Sequence, residues 1–224
     1  MPSFRFERDC VGRVAGIDEA GRGPLAGPVV AAIAVIDRTV AKRRLLRLID
    51  DSKKLEEEAR ETAYDAMVAS GIVQFAVGEA SVEEIDRVNI LQATFLAMRR
   101  ALQALAATPG MVSPDMVLID GDRIPPALGC SAQTIVGGDA RSYSIAAASI
   151  FAKVTRDRTM ARLAETFPGY GWETNRGYGS REHLMALDRL GPTPHHRMSF
   201  APLKLRNVGL PLLDYVDNIG GDCG

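Results

Sequence analysis

Four carboxylates stand at the ends of short apolar runs in this sequence. Asp18 and Glu19 follow the first run, Asp120 follows a later one, and Asp139 follows a third after two glycines. An ionised carboxylate beside an apolar run is costly without a partner, and Mg²⁺ and Mn²⁺ are cations that prefer carboxylate oxygens. Two such ions held about 3.5–4 Å apart can activate a water and stabilise the leaving oxygen of a phosphodiester. Taken singly, Asp120 and Asp139 are more typical of turns, but the set of four favours a divalent-metal site with this chemistry.

Asp18 and Glu19 are neighbours in the chain, which restricts how they can share a metal. Successive side chains of a strand point to opposite faces of the sheet. The two carboxylates can therefore serve one metal centre only where the strand ends or twists. Gly21, two positions after Glu19, makes such a bend easy.

The segment Gly21-Arg22-Gly23 presents backbone N–H groups with little hindrance from side chains. This property is typical of loops that bind phosphates or sugars. Together with Ala26, the segment also satisfies a dinucleotide-binding pattern, which requires a helix to follow. The sequence continues instead through Pro24 into the apolar run 29–33, which favours a second strand. We therefore reject the dinucleotide interpretation.

Three further places offer polar or aromatic groups to a substrate. Ser52 and Lys53 lie at the predicted N-terminus of a helix, where they could bind phosphate. A helix cap with a solvated lysine is an equally good interpretation of that pair. Tyr178 stands between two glycines and could stack on a sugar or base, or be an ordinary surface residue. The segment His195-His196-Arg197 has no third ligand at a recognisable spacing, which favours capping or packing over zinc binding.

Strand and helix patterns alternate around these residues and predict an α/β fold. Apolar runs rich in β-branched residues predict strands, and apolar residues spaced by three or four predict helices. The predicted strands are 11–17, 28–36, 72–80, 116–119 and 132–136. The predicted helices are 55–69, a short one opened by a capping box of Ser81 and Glu84, 90–106, a long one from Ser142, and one near 180–190. We expect the long helix to be buried in its first half and exposed in its second.

The composition excludes several classes of protein. The chain has 224 residues, of which 46% are hydrophobic and 25% charged, as in soluble globular proteins. No run approaches the ~18 apolar residues of a membrane helix, and the polar N-terminus carries no secretory signal, so we expect a cytoplasmic protein. Cys10, Cys130 and Cys223 are odd in number and far apart, which argues against a disulfide framework or a zinc site.

The net charge of −1 conceals an uneven distribution along the chain. Residues 151–206 contain ten basic and five acidic residues, whereas the tail from 207 contains three acidic residues and no basic one. A basic stretch can face a polyanion, and a solvated helix face is an equally good interpretation.

Taken together, these motifs resemble those of bacterial ribonuclease HII, a type 2 ribonuclease H. The resemblance extends from about Val14 to Pro202. Its carriers are Gly16–Val29, Asp51–Leu55, Asn89–Thr94, Leu118–Gly121, Gly138-Asp139, Ser144–Ile150, Ala152–Asp157, Gly177–Gly179, His195–Arg197 and Ser199-Phe200. Several ordered motifs in one chain make the resemblance specific, whereas any one of them alone would not.

The resemblance implies a ribonuclease H-like fold, in which helices flank a mixed central sheet and a helical C-terminal extension follows. Residues 1–167 would form the catalytic core, and residues 168–224 would complete the substrate-binding face, with a tail from 207 to which we assign no role. The implied activity is endonucleolytic cleavage of the RNA strand of RNA–DNA hybrids and of ribonucleotides embedded in duplex DNA. This cleavage would leave 5′-phosphate and 3′-hydroxyl ends, and we expect a monomer.

The resemblance also implies roles for individual residues. The metal-binding and catalytic carboxylates, with two Mg²⁺ or Mn²⁺ ions, would be Asp18, Glu19, Asp120 and Asp139. The loop Gly21-Arg22-Gly23 would contact the ribose 2′-hydroxyl, the group that distinguishes RNA from DNA. Tyr178 would stack on the adjoining sugar. Ser52 and Lys53 would contact phosphate.

Three positions depart from the usual pattern of the family. Gly137 and Arg176 each stand where lysine is common, and Glu56 stands where serine or threonine is usual. The four carboxylates are intact, so we expect any effect of these departures to fall on substrate affinity rather than on activity. Two other functions remain open, namely a non-catalytic binder of hybrids and another nuclease of this fold, such as an integrase or junction resolvase. The four intact carboxylates argue against the binder. The glycine loop and Tyr178 argue against the other nucleases.

Overall fold

A single mixed sheet organises the strands of the part of the chain that the structure describes. The structure is a computed structural model, and it describes residues 1–111 and 113–206. The strands are β1 Val14–Ala20, β2 Val29–Ile36, β3 Val73–Ala80, β4 Met116–Asp120 and β5 Ser131–Ile135. Their order is β3-β2-β1-β4-β5. Strand β1 pairs antiparallel with β2 and parallel with β4, and β4 pairs parallel with β5, so the predicted mixed sheet is confirmed.

Strand β1 is displaced from its predicted position. The apolar pattern predicts 11–17, but β1 begins at Val14 and continues to Ala20. It continues because its backbone pairs with β2 as far as Ala20 opposite Val30. The hydrogen bonds of this ladder carry the strand through two acidic residues, so Asp18 and Glu19 lie within β1 rather than after it.

The described helices include all those predicted, close to their predicted positions, and four short ones that the sequence patterns do not predict. They are α1 Arg5–Arg8, α2 Arg43–Leu46, α3 Glu57–Ser70, α4 Val82–Val88, α5 Ile90–Ala107, α6 Tyr143–Thr166, α7 Trp172–Asn175, α8 Arg181–Leu190 and α9 Ala201–Arg206, with a 3₁₀ turn at Gly138–Ala140. The predicted capping box is present, with Ser81 and Glu84 satisfying each other's backbone N–H groups. Gly71 ends α3 in a left-handed conformation, which glycine adopts readily.

Helix α6 does not divide into a buried half and an exposed half. Its first half is buried as predicted, but Arg156 and Asp157 in its second half are only 1% and 6% exposed. The expectation of an exposed second half is therefore wrong at this turn. Arg156 can be buried because its guanidinium donates to three backbone carbonyl oxygens, which replace water.

Gly16 in β1 permits a close approach of the strand to the start of α6. A Cβ at this position would overlap the backbone of Ser144 and Ile145. The glycine therefore fixes how near the backbone of β1 lies to α6, two residues before Asp18.

The chain forms two compact units. The sheet unit comprises residues 1–20, 30–79 and 94–155, and the C-terminal unit comprises 21–29, 80–93 and the described residues from 156 onward. The core of the sheet unit includes Phe151 and Met67, and that of the C-terminal unit includes Trp172 and Leu187. The division at residue 167 that the resemblance implies stays a prediction, and the tail from Asn207 lies outside the described residues. None of the helices described is long and apolar enough to cross a membrane.

Candidate active site

Three of the predicted carboxylates meet at the ends of parallel strands. Ile17 of β1 pairs with Ile119 of β4, which brings the next residues, Asp18 and Asp120, side by side. Asp139 joins them from the 3₁₀ turn after β5. One carboxylate oxygen of each residue lies within 4.8 Å of the other two. Three acidic oxygens at this spacing fit a hard divalent cation.

The surroundings of this cluster destabilise the ionised form of its carboxylates. Burial, followed by the charges of Glu19 and Asp120, raises the pKa of Asp18 well above its usual range. Burial also raises the pKa of Asp120, although its Oδ1 accepts a 2.6 Å hydrogen bond from the N–H of Gly138. A cation bound here would favour the ionised carboxylates, so the electrostatics of the site fit a metal as well as its geometry does.

Glu19 is not among the described residues whose oxygens form this cluster. Because β1 continues through Glu19, its side chain leaves the strand on the face opposite to that of Asp18. Glu19 is half-buried, its N–H donates to Oδ1 of Asp18 at 2.7 Å, and its charge acts on Asp18. Its part in metal binding stays a prediction.

Ser149 of α6 is a neighbour of the site that the sequence analysis does not single out. Its hydroxyl hydrogen-bonds to Asp18, and its Oγ lies 2.7 Å from the Oγ of Ser52. The small residues around Ser149 predict only close packing, so they gave no signal of this contact. Ser52 is buried with its hydroxyl against Ser149, and its phosphate contact stays a prediction.

Lys53 brings a positive charge to the carboxylates. Its Nζ lies 3.0 Å from Oδ2 of Asp139, and its side chain is 77% exposed. Burial lowers the pKa of Lys53, but the hydrogen bond and charge of Asp139, with the charges of Asp18 and Asp120, outweigh burial and raise the pKa overall. Lys53 is therefore a charged, largely solvated group at the edge of the site.

The glycine loop and Tyr178 form one surface within the C-terminal unit. Gly21 is buried in a left-handed conformation with φ of 92°, whereas Arg22 and Gly23 are exposed. A Cβ built on Gly23 would lie 3.6 Å from Cε1 of Tyr178, and Tyr178 is 50% exposed. A group resting on Gly23 would therefore also touch the Tyr178 ring.

Two buried histidines support this surface from within. Nδ1 of His183 lies 2.8 Å from the carbonyl oxygen of Tyr178, so Nδ1 carries the proton and Nε2 accepts from Nε1 of Trp172 at 3.0 Å. The N–H of Thr193 donates to Nδ1 of His196, which places the proton of His196 on Nε2, 3.0 Å from Nε2 of His183. His196 thus has the packing role that is expected for the segment 195–197, and His183 packs beside it.

Comparison with known proteins decides the family. The model of the family described as Ribonuclease HII matches residues 15–203. The chain belongs to the ribonuclease HII family.

Individual relatives agree with this ribonuclease HII assignment. The chain is 60% identical over 204 residues to ribonuclease HII of Rhodospirillum rubrum, covering 91% of each chain. It is 56% identical to that of Paramagnetospirillum magneticum, covering 91% of this chain and 97% of the relative. The crystal structure of ribonuclease H2 from Pyrococcus horikoshii OT3 matches with 28% identity and a TM-score of 0.67, covering 86% of this chain and 96% of that one. The predicted ribonuclease H-like fold is therefore confirmed.

Membership of the ribonuclease HII family sets the reaction class. The chain is a ribonuclease H, a hydrolase that cleaves the RNA strand of RNA–DNA hybrids and depends on divalent metal. The cluster of Asp18, Asp120 and Asp139 supplies oxygen donors that fit this dependence. A non-catalytic binder and an integrase or resolvase are not what the comparisons support.

The burial of two arginines of this ribonuclease HII does not follow from the charge pattern of the sequence. Arg156 and Arg197 belong to the basic stretch 151–206, yet they are 1% and 0% exposed. The stretch is therefore less available to a polyanion than its composition indicates. Hydropathy places arginine at the surface and carries no information about carbonyl oxygens that surround it in the fold.

Two of the departures from the family pattern have left-handed backbone. Gly137 has φ of 64° and Arg176 has φ of 50°. This conformation favours glycine, so the glycine at 137 suits its local backbone. Arg176 is held there in part because its carbonyl accepts from Nη1 of Arg156 at 3.0 Å. The effect of both departures on affinity stays a prediction.

Proposed function

We propose that this chain cleaves duplex DNA at single embedded ribonucleotides as well as the RNA strand of hybrids, and that it leaves 5′-phosphate and 3′-hydroxyl ends. The observation that carries the proposal is that Gly23 lies beside the Tyr178 ring. A Cβ built on Gly23 would be 3.6 Å from Cε1 of that ring. This surface offers a backbone hydrogen-bonding loop beside an aromatic face. It suits one ribose next to a deoxyribose.

The catalytic part of the proposal assigns metal binding to Asp18, Glu19, Asp120 and Asp139. Bound there, two Mg²⁺ or Mn²⁺ ions would supply an activated water and positive charge for the leaving 3′-oxygen. The chain's own contribution is to hold the ligands in place. Ser149 donates to Asp18, and the N–H of Gly138 donates to Asp120 at 2.6 Å.

The recognition part assigns the ribose 2′-hydroxyl to the backbone of Gly21-Arg22-Gly23 and the adjoining sugar to the Tyr178 ring. The left-handed Gly21 and the exposure of Gly23 support this assignment. We assign phosphate contacts to Ser52 and Lys53. Lys53 is supported by its exposed ammonium, 3.0 Å from Asp139, and Ser52 by its place directly before it.

A duplex with one ribonucleotide, tested beside an all-DNA duplex of the same sequence, examines the proposal directly. With Mg²⁺ or Mn²⁺ we expect cleavage at the ribonucleotide alone, and none after a chelator is added. Extension by a DNA polymerase detects the 3′-hydroxyl, and ligation detects the 5′-phosphate. Cleavage of both duplexes would indicate a general nuclease, binding without cleavage would indicate a binder, and cleavage of long hybrids alone would overturn the single-ribonucleotide proposal.

The working state of the protein is part of the same proposal. We infer that it acts as a monomer in the cytoplasm and accepts either Mg²⁺ or Mn²⁺. Rates measured with each ion in turn test the metal, and sedimentation of the free protein tests the assembly state. A stable dimer at working concentration would contradict the monomer.

A further inference from the structure

A buried guanidinium lies under the glycine loop of the C-terminal unit. Arg197 is fully buried, and its backbone N–H donates to the carbonyl of Leu25 at 2.8 Å. The N–H of Gly27 donates in turn to the carbonyl of His195 at 2.9 Å. These two bonds fix the segment that carries Arg197 alongside residues 25–27.

All three nitrogens of the Arg197 guanidinium donate to carbonyl oxygens of residues 21–28, which include the glycine loop. Nη2 donates to Gly21 at 2.6 Å, to Gly27 at 2.8 Å and to Pro28 at 3.2 Å. Nη1 donates to Arg22 at 3.0 Å, and Nε donates to Gly27 at 2.9 Å. The planar fork of an arginine can span carbonyls in this way, whereas the single nitrogen of a lysine cannot.

Two of these contacts determine which way the loop presents its donors. In a trans peptide the C=O of one residue and the N–H of the next point in opposite directions, and no peptide bond of the described chain is cis. Because the carbonyls of Gly21 and Arg22 point inward at Arg197, the N–H groups of Arg22 and Gly23 point away from it. Arg22 and Gly23 are the exposed residues of the loop.

We propose that Arg197 is a positioning residue for ribonucleotide recognition, which turns the N–H groups of Arg22 and Gly23 toward the ribose 2′-hydroxyl. This inference rests on the proposed function, in which the same loop contacts that hydroxyl. Arg197 itself touches no substrate. It acts through the peptide planes that it holds.

Burying the charge of Arg197 costs free energy, which argues that this side chain does more than fill the interior. Burial, followed by the positive charge of Arg156, lowers the pKa of Arg197 to about 9. Apolar side chains that replace a buried charge are often no less stabilising. The ring of Phe200, 5.0 Å from the guanidinium carbon, packs against the fork and helps to hold its plane.

Arg156 provides a matched control within the same unit. It is equally buried, and burial lowers its pKa to about 10. Its guanidinium donates to the carbonyls of Pro28, Ala26 and Arg176 at 3.0–3.1 Å. None of these three peptide groups precedes Arg22 or Gly23, so a change at Arg156 removes similar bonds without turning those N–H groups.

The test compares Arg197→Lys and Arg156→Lys with the wild type. Competition binding with a chelator present gives the ratio of affinities for a one-ribonucleotide duplex and its all-DNA twin. We expect Arg197→Lys to bring this ratio close to one and to lower kcat/KM on the ribonucleotide by about 100-fold. Arg156→Lys should keep most of the wild-type affinity ratio. Its melting temperature should nevertheless fall by about as much as that of Arg197→Lys.

Each outcome decides a separate point. An unchanged ratio in Arg197→Lys, or an equal loss of the ratio in both variants, would overturn the positioning role. A wild-type ratio of one would overturn the proposed recognition by the loop, and this inference with it. Should Arg197→Lys fail to fold, Arg197→Gln, which removes the buried charge and keeps one donating amide, is expected to show the same loss of the ratio, and a retained ratio there would overturn the role.

Discussion

The two units of the molecule bury charge in opposite ways. In the sheet unit, Asp18, Asp120 and Asp139 bring like charges within 4.8 Å of one another. In the C-terminal unit, Arg156 and Arg197 are surrounded by backbone carbonyls that complete their hydrogen bonds. The first arrangement keeps its attraction for a ligand, and the second uses its charge to hold a loop. Burial of a charged group therefore does not by itself mark a ligand site. The groups that surround the charge determine whether it is left to bind a ligand or is already satisfied within the fold.

The largest expected effect is that of Asp18→Asn. Cleavage should fall by on the order of 10⁴-fold, the scale for loss of a central catalytic group. In metal-free buffer the same variant should unfold at a higher temperature, because a buried like charge is removed. The measurements are duplex cleavage with metal and thermal unfolding with chelator.

Asp122→Asn is the control for this change, since it removes the same charge from an exposed side chain near the end of β4. It should leave both cleavage and melting temperature unchanged. If Asp18→Asn instead lowered the melting temperature in chelator, the fold would already satisfy that carboxylate, and the contrast with Arg197 would fail.

Metal binding should stabilise the wild type by the next largest amount. An ion at about 100 times its Kd adds about 2.7 kcal/mol to the free energy of unfolding. Thermal unfolding with Mg²⁺ or Mn²⁺, against a sodium control of equal ionic strength, measures this gain. The gain should largely vanish in Asp18→Asn and persist in Arg197→Lys. An equal gain in wild type and Asp18→Asn would place the metal elsewhere.

Salt should weaken duplex binding to a smaller extent than the basic stretch suggests. If the exposed basic residues neutralise two phosphates, affinity falls roughly tenfold between 50 and 200 mM salt. Arg181→Gln, at an exposed position of α8, should reduce the slope, whereas the buried Arg156 should not contribute to it. A duplex affinity of the wild type that does not change with salt would rule out phosphate binding by these exposed basic residues.

The smallest expected effect is a loss of stability on acidification. Burial lowers the pKa of His183, whose Nε2 already accepts a hydrogen bond from Trp172. The unfolded chain takes up this proton near pH 6.5, but the folded chain resists it to lower pH. The stability is thus fully present above that pH and is lost as pH falls. Melting curves of wild type and His183→Gln across this range should differ in slope, and parallel curves would contradict the assignment.

Local signals in the sequence were sufficient for most of the elements. Gly71 ends its helix and Ser81 opens the next because each acts on backbone groups within a few residues. The apolar runs located the strands for the same reason. Asp120 and Asp139 could be placed near Asp18 because parallel strands end at a common edge of a sheet.

What escaped prediction depends on partners far away in sequence. Strand β1 reaches Ala20 because of its pairing with Val30, and this moves Glu19 to the face opposite Asp18. Ser149 gains its role from Asp18, and Arg197 from carbonyls some 170 positions earlier. Hydropathy and spacing report none of these partners, so the sequence suggested surface arginines where the fold has buried ones.

Substitutions at the two glycines of the loop should produce different mutant phenotypes. A side chain at Gly21 would be strained by its φ of 92° and would overlap Arg156, so we expect substitutions there to damage folding. A methyl group at Gly23 would make only an ordinary 3.6 Å contact with Tyr178, so the fold should accept it. Gly23→Ala would then give a separation-of-function allele, whose product is stable and binds metal but no longer lets the ribose reach the loop. Gly21→Ala would instead resemble a deletion of the gene.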